Sequence, residues 1–349
     1  MSSRKLLQHT IGLTLVVLLL GGCGGVQAEP TATTRAPADK DTAVAPQLSY
    51  DSGCARPIVY VCSIRREMEE QICTVCPDVS RLTNNYDRLD SHSDSSEITQ
   101  LTTAHEGNHH NWPVWSPDGQ WIAFTRGRSD SDDNVANVAN EIFIIRADGT
   151  EETQLTFNNF DMLPSWSPDG QWVLFIRWRL DPNDFAREIF IVRPDGSELT
   201  QLTFNNNDSR PYWSPDGRWI VFTREALPGA GEYASDVFKI RADGTEETQL
   251  TFNDAYWSGS WSPDGQWVAV VRVSRLKGEI FIMRPDGSEL TQLTSSHYSD
   301  GSLSWSPDGQ WVAFVRGEFV DSAIFVMRAD GSMQTQLTDR SPPNAVPDW

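Results

Sequence analysis

The string W-S-P-D-G-[QR]-W occurs five times, beginning at Trp115, Trp166, Trp213, Trp261 and Trp305, with successive spacings of 51, 47, 48 and 44 residues. A period in this range belongs to propeller blades rather than to short helical solenoid units. Each unit reads as four short strands. In the second unit these are residues 162–166 (MLPSW), 172–177 (WVLFIR), 188–192 (EIFIV) and 198–204 (ELTQLTF), rich in β-branched and aromatic side chains with turn signals between them. No segment carries a helical stripe over three turns, which excludes an α/β alternative.

Two recurrent turns have a chemical reason. In Ser167-Pro168-Asp169-Gly170 the proline suits the first central position of a type I turn, and the glycine accepts the positive φ that closes the hairpin with a bulge. Arg-[AP]-Asp-Gly does the same between third and fourth strands at Arg146, Arg193, Arg241, Arg284 and Arg328. These aspartates are turn formers and not metal ligands. Ten of the 14 tryptophans stand at the end of a first strand or the start of a second. There they fill the wedge that widens between blades away from the axis.

A degenerate unit, residues 50–103, precedes the five clear ones. Residues 58–63 (IVYVCS) match a second strand and 71–78 (QICTVCPD) a third with its turn, where Val79 replaces the glycine. For its fourth strand, residues 98–103 (ITQLTT) match better than 80–83 (SRLT), which makes 84–97 an acidic insertion. Cys54, Cys62, Cys73 and Cys76 read as two structural disulfides, with Cys62 facing Cys73 across a hairpin and Cys54 left for Cys76. A redox pair at Cys73 and Cys76 or a four-thiolate metal site fits less well, because Pro77 and Asp78 announce a turn where a redox motif opens a helix. Pro347-Asp348-Trp349 resembles a solitary first strand, so residues 345–349 are expected to lie innermost in the first blade and close the ring. Ser49 to Gly53 is the competing source of that strand. The expectation is an all-β fold, a six-bladed β-propeller of four-stranded antiparallel blades, over residues 49–349.

The N-terminus sets the compartment. Arg4 and Lys5 precede an apolar run from Ile11 to Leu20, too short to span a bilayer, and Leu20-Gly21-Gly22-Cys23 follows. These four residues resemble the lipobox of bacterial lipoproteins, which implies a signal at 1–22 and lipid on Cys23. Residues 23–48, rich in Ala, Thr and Pro, read as a tether. The expected product is exported and membrane-attached through its N-terminal lipid, in the periplasm or at the cell surface. The chain carries 28 basic and 48 acidic residues, a net charge of -20, and loss of Arg4 and Lys5 makes it more negative still. Such a surface repels a phosphate backbone, which argues against nucleic acid as a partner.

The W-S-P-D-G units resemble the PD40-type, WD40-like propeller repeats of the periplasmic protein TolB and its exported relatives, well over 99–349 and weakly over 50–98. The resemblance implies a six-bladed propeller that contacts a lipoprotein and colicin-type peptides near its channel. That family also carries a small α/β domain ahead of the propeller, for which only the tether stands here. Similar blades precede α/β-hydrolase domains in prolyl-oligopeptidase-like peptidases, but the chain holds no G-x-S-x-G nucleophile motif.

Strand order puts both repeated turns on one face and the variable loops on the other, where sites on rigid scaffolds usually sit. The loops from fourth to first strands are expected to hold the contact residues His110, Trp112, Phe160, Asp161, Asp208, Arg210, Tyr256, Trp257, Tyr298 and Asp300. Aromatic platforms among acids and amides suit a protein or peptide of the cell envelope, and a polysaccharide as the second choice. Loops at 176–187 and 223–236 are expected to wall the site with Trp178, Phe185 and Tyr233. His105, His109 and His110 match no zinc spacing, and the acids of 128–134 match no twelve-residue calcium loop. No catalytic residue, metal or cofactor is called for. The competing class is a carbohydrate-binding protein or a carbohydrate-active hydrolase or lyase, drawing its carboxylates from Glu106, Asp161, Asp208, Asp254 and Asp300.

Overall fold

The computed structural model describes residues 58–64, 69–75, 98–102, 108–128, 139–157, 160–181, 184–204, 207–225, 235–252, 255–274, 277–318 and 321–338. Every regular element among them is a β-strand. In the Trp213 unit the strands are Asp208–Trp213, Trp219–Glu225, Ser235–Arg241 and Thr248–Gln249, paired antiparallel in that order. The Trp261 and Trp305 units repeat this sheet. The Trp115 and Trp166 units do so as well, joined into one eight-stranded sheet by a parallel bridge from Asn140 to Phe160. Ahead of them Ile58–Ile64, Glu69–Val75 and Ile98–Gln100 form a three-stranded sheet. The strand expected from 345–349, on which the count of six blades rests, lies outside the described residues, as do Cys23, Cys54, Cys76 and the tether.

The five hydrophobic clusters are interfaces between neighbouring units. One packs Ala123, Ile142 and Leu155 against Trp166, Val173 and Phe175 of the next unit. Another packs Leu174, Ile189 and Leu202 against Ile220, Phe222 and Ile240. Because both faces of each sheet are covered, the middle strands read as continuous apolar runs and not as alternation. Four of the five first repeat tryptophans, Trp115, Trp166, Trp261 and Trp305, are almost fully buried at these interfaces, and Trp213 is half-buried. Trp166, Trp261 and Trp305 each donate the indole N–H to the preceding unit, to the carbonyls of Val114, Tyr212 and Ser260 at 3.2–3.3 Å. The second tryptophan lies under the arginine of the later turn, with Arg193 3.9 Å above the Trp172 ring and Arg284 3.9 Å above Trp267.

The W-S-P-D-G string is a closed hydrogen-bond unit. Ser167 Oγ accepts the Trp172 N–H at 2.9 Å and donates to Asp169 Oδ1 at 2.6 Å, while that oxygen also accepts the Gln171 N–H at 3.0 Å. Gly170, at φ 70°, donates its N–H to the Ser167 carbonyl at 2.8 Å. The same bonds recur at Ser116, Ser214, Ser262 and Ser306.

Two expectations need correction. The register of the first hairpin pairs Cys62 with Gln71 and Cys73 with Tyr60, so Cys62 and Cys73 do not face each other. The third strand starts at Glu69, earlier than its apolar run suggests, and this moves the register by two residues. Trp178 and Phe185 are not on a loop. They lie in strands Val173–Asp181 and Asp184–Val192, where Trp178 pairs with Arg187 and Phe185 with Leu180.

Ser167→Ala removes an acceptor and a donor from a half-buried turn, and is expected to lower stability by about 1–3 kcal/mol in urea titration. An unchanged midpoint would show that the serine contributes nothing to the hairpin.

Candidate functional site

The first strand begins each four-stranded unit and pairs only with the second, except in the Trp166 unit, where it also bridges to Asn140 of the preceding unit. Each begins well ahead of its tryptophan: Asn108–Trp115, Phe160–Trp166, Asp208–Trp213, Tyr256–Trp261 and Asp300–Trp305. The residues assigned to loops at the channel mouth therefore stand largely in these inner strands. Only Tyr298, 44% exposed, remains in a loop.

His110, Asp161, Asp208 and Asp300 occupy equivalent positions and are fully buried or nearly so. Each meets the arginine sixteen residues later, at the end of the second strand. Asp161 accepts two bonds from Arg177 at 2.7 and 2.8 Å, Asp208 from Arg224 at 2.7 and 3.1 Å, and Asp300 from Arg316 at 2.6 and 2.9 Å. The arginines lie over the phenylalanine of the third strand, 4.4–4.8 Å from the rings of Phe190, Phe238 and Phe325. Burial pushes the Asp161 and Asp208 carboxyls upward, against the pull of their arginines. These acids are occupied inside the blades and are not presented to solvent.

His110 takes the acid's place in the Trp115 unit. Arg126 Nε–H donates to its Nε2 at 2.8 Å, so Nδ1 carries the proton and donates to Thr102 Oγ1, also at 2.8 Å. Burial, Arg126 and His109 lower its pKa to about 3, and the ring is neutral. In the Trp261 unit the position is Tyr256, 3% exposed, and Arg272 turns instead to Glu279 at 2.8 Å.

Two residues beyond the buried partner the pairing slips. Register shifts fall between Asn111 and Val114, Met162 and Ser165, Ser209 and Tyr212, Ser258 and Trp261, and Gly301 and Ser304. At the bulge Trp112, Leu163, Arg210 and Ser302 have φ of 51, 58, 52 and 48° and are exposed. Left-handed backbone at Trp and Leu is costly and marks a place where neighbouring structure holds the strand and re-aims a side chain. The four side chains occupy equivalent positions on the first strands of four units, a ring of bulges in repeat register.

The ring is interrupted at the Trp261 unit. Ser258 is buried, accepts the Thr223 hydroxyl and donates its own to the Arg210 carbonyl at 2.7 Å. Beside it half-buried Trp257 supports the Arg210 guanidinium, which lies 4.5 Å from the ring centre. Of the residues expected at the site, Arg210 and Trp257 come together, Trp112 stands at the equivalent bulge two units before Arg210, and Phe160 starts its strand half-buried at the bridge to Asn140. Leu163 and Ser302 are members that sequence reasoning missed. Their position three residues before the repeat tryptophan was a usable signal, as was the proline that follows Trp112, Leu163 and Arg210. Among the described residues no group of three His, Cys, Asp or Glu side chains could hold a metal ion.

These features define a β-propeller built from W-S-P-D-G blades. Residues 180–349 match the family model of the TolB beta propeller domain, PD40. A putative TolB from Agrobacterium tumefaciens is 21% identical, over 71% of this chain and 88% of that one, with a TM-score of 0.53. An oligogalacturonate lyase from Vibrio parahaemolyticus is 13% identical, over 81% and 74%, at 0.56. A puromycin-hydrolyzing peptidase of Mycobacterium tuberculosis is 17% identical, over 82% of this chain but only 46% of that one, also at 0.56. At these identities the likeness is one of fold. No curated protein matches the chain in sequence.

The neutral His110 ties folding to pH. The unfolded imidazole protonates near 6.5 and the folded one near 3, so stability falls as the pH drops through that window. Between pH 7 and 5 the loss should exceed that of His110→Asn by about 2 kcal/mol in urea titrations. Equal losses in the two proteins would mean that His110 is not held neutral.

Proposed function

We propose that the chain is a non-catalytic lipoprotein of the bacterial cell envelope that binds a protein or peptide segment at the ring of inner-strand bulges. The observation that carries this reading is the set of bulges itself: four strained, exposed positions present Trp112, Leu163, Arg210 and Ser302 at equivalent points of four units, on strands fixed from behind by buried pairs. Rigid, partly apolar surfaces with a few placed polar groups suit recognition. The family resemblance supports it, since TolB-like propellers are used for contacts within the envelope. Export and anchoring rest on the lipobox at Leu20-Gly21-Gly22-Cys23.

The carbohydrate-active reading has less support. Of the five candidate carboxylates, Asp161, Asp208 and Asp300 are buried and bonded to arginine, so none is free to protonate or attack a glycosidic bond. Glu106 and Asp254 lie outside the described residues.

In cross-linking from intact envelopes, the wild-type chain should yield a defined protein adduct that Trp112→Ala and Leu163→Ser together abolish without changing the melting temperature. An adduct retained by the double variant would place recognition elsewhere. Hydrolysis or lysis of envelope polysaccharide by the purified protein would contradict the non-catalytic reading.

A further inference from the structure

Arg210 stands apart from the other arginines. In a chain with 48 acidic residues, the described arginine side chains nearly all meet a carboxylate: Arg177, Arg187, Arg224 and Arg316 across strands, and Arg146, Arg193, Arg241 and Arg284 at the turns. Arg328 has none but lies over Trp311 with Met333 Sδ 3.3 Å from its Nε, in the turn where the other units place a glutamate. Arg210 has no carboxylate within 4.0 Å among the described residues, yet it is not a loose surface side chain. Its φ of 52° at the bulge sets its direction, the Ser258 hydroxyl fixes its carbonyl, and its guanidinium carbon lies over the Trp257 ring, 4.5 Å from the centre.

A cation–π contact with an indole uses none of the guanidinium's N–H donors, and a guanidinium with free donors receives a carboxylate through two parallel bonds. The remainder of the ring offers Trp112, 41% exposed, and Leu163, 39% exposed. The protein's strongly negative field opposes the approach of highly acidic partners. We propose that the Arg210–Trp257 shelf is the specificity element of the ring and takes a single carboxylate of a bound polypeptide, carried on a segment that is otherwise apolar and neutral or basic. The carboxylate belongs either to an acidic side chain or to the chain terminus. This assignment rests on the reading of the ring as a peptide site.

The test uses four probes and the full mature chain purified in detergent: acetyl-leucyl-aspartyl amide, its asparaginyl counterpart, acetyl-leucyl-leucine with a free carboxylate, and the amide of that peptide. Binding is read from the indole N–H resonances of Trp257 and Trp112 at probe concentrations up to roughly 20 mM, enough to detect contacts of millimolar affinity. At least one carboxylate probe should bind about fivefold or more tightly than its neutral twin while shifting Trp257. Arg210→Gln should abolish that preference and leave the melting temperature unchanged. Preference for the aspartyl probe assigns a side chain, and preference for the free terminus assigns a chain end. Equal binding of both twins, or a preference that survives Arg210→Gln, overturns the carboxylate assignment while leaving the ring in place. If no probe moves either indole, the shelf proposal is overturned, and a peptide adduct still lost on changing Trp112 and Leu163 would then separate its failure from that of the ring.

Discussion

The inner strands depend on one contact, the arginine at the end of a second strand reaching back to the acid at the start of the first. In three units it is a buried bidentate pair with aspartate, and the arginine lies over the phenylalanine beside it. Removing the arginine leaves the buried aspartate without its partner, which costs about 3–5 kcal/mol. A strand held this firmly at its start can carry a strained bulge two residues later. The strain is tolerated because the pair behind it and the tryptophan ahead of it, packed against the preceding blade, leave the backbone no cheaper path.

The two ends of the molecule use these constraints differently. On the repeated-turn side the serine, aspartate and glycine of each W-S-P-D-G string satisfy one another and leave little for a ligand. At four bulges the repeat keeps a left-handed backbone and varies the side chain: Trp112, Leu163, Arg210 and Ser302; at the fifth, Ser258 is buried, is not left-handed and still pairs with Val270. One scaffold thus presents a ring of unequal residues, and the inequality is the source of any specificity. The Trp261 unit departs furthest, with Tyr256 for the acid and Ser258 turned inward, and its departure makes room for the Arg210–Trp257 contact.

The blade fold was legible because its signals are local and repeated. Turn residues, β-branched runs and paired tryptophans each have a short-range cause, and five copies average out the noise. The inner strands were harder to read. Asp208-Ser209-Arg210-Pro211 looks like a loop by composition, since a bulge breaks the alternation of a strand and proline argues against one. For the same reason Asp161, Asp208 and Asp300 read as exposed acids, whereas the arginine that buries each of them is sixteen residues away. Trp112, Arg210 and Trp257 were found because aromatic and cationic residues stand out in such a segment. Leu163 and Ser302 do not, and only their alignment with the bulge reveals them. The register of the first hairpin was misplaced because polar Glu69 and Glu70 extend a strand whose apolar run begins later.

On this account the buried pair holds the bulge in its left-handed form. That hold is tested most directly by amide hydrogen exchange in Asp208→Asn, which keeps the shape of the side chain and removes its charge. Exchange should accelerate selectively across Asp208–Trp213 while the strands of the other units stay protected. Unchanged protection across that strand would contradict the account, because the bulge would then be held without the pair.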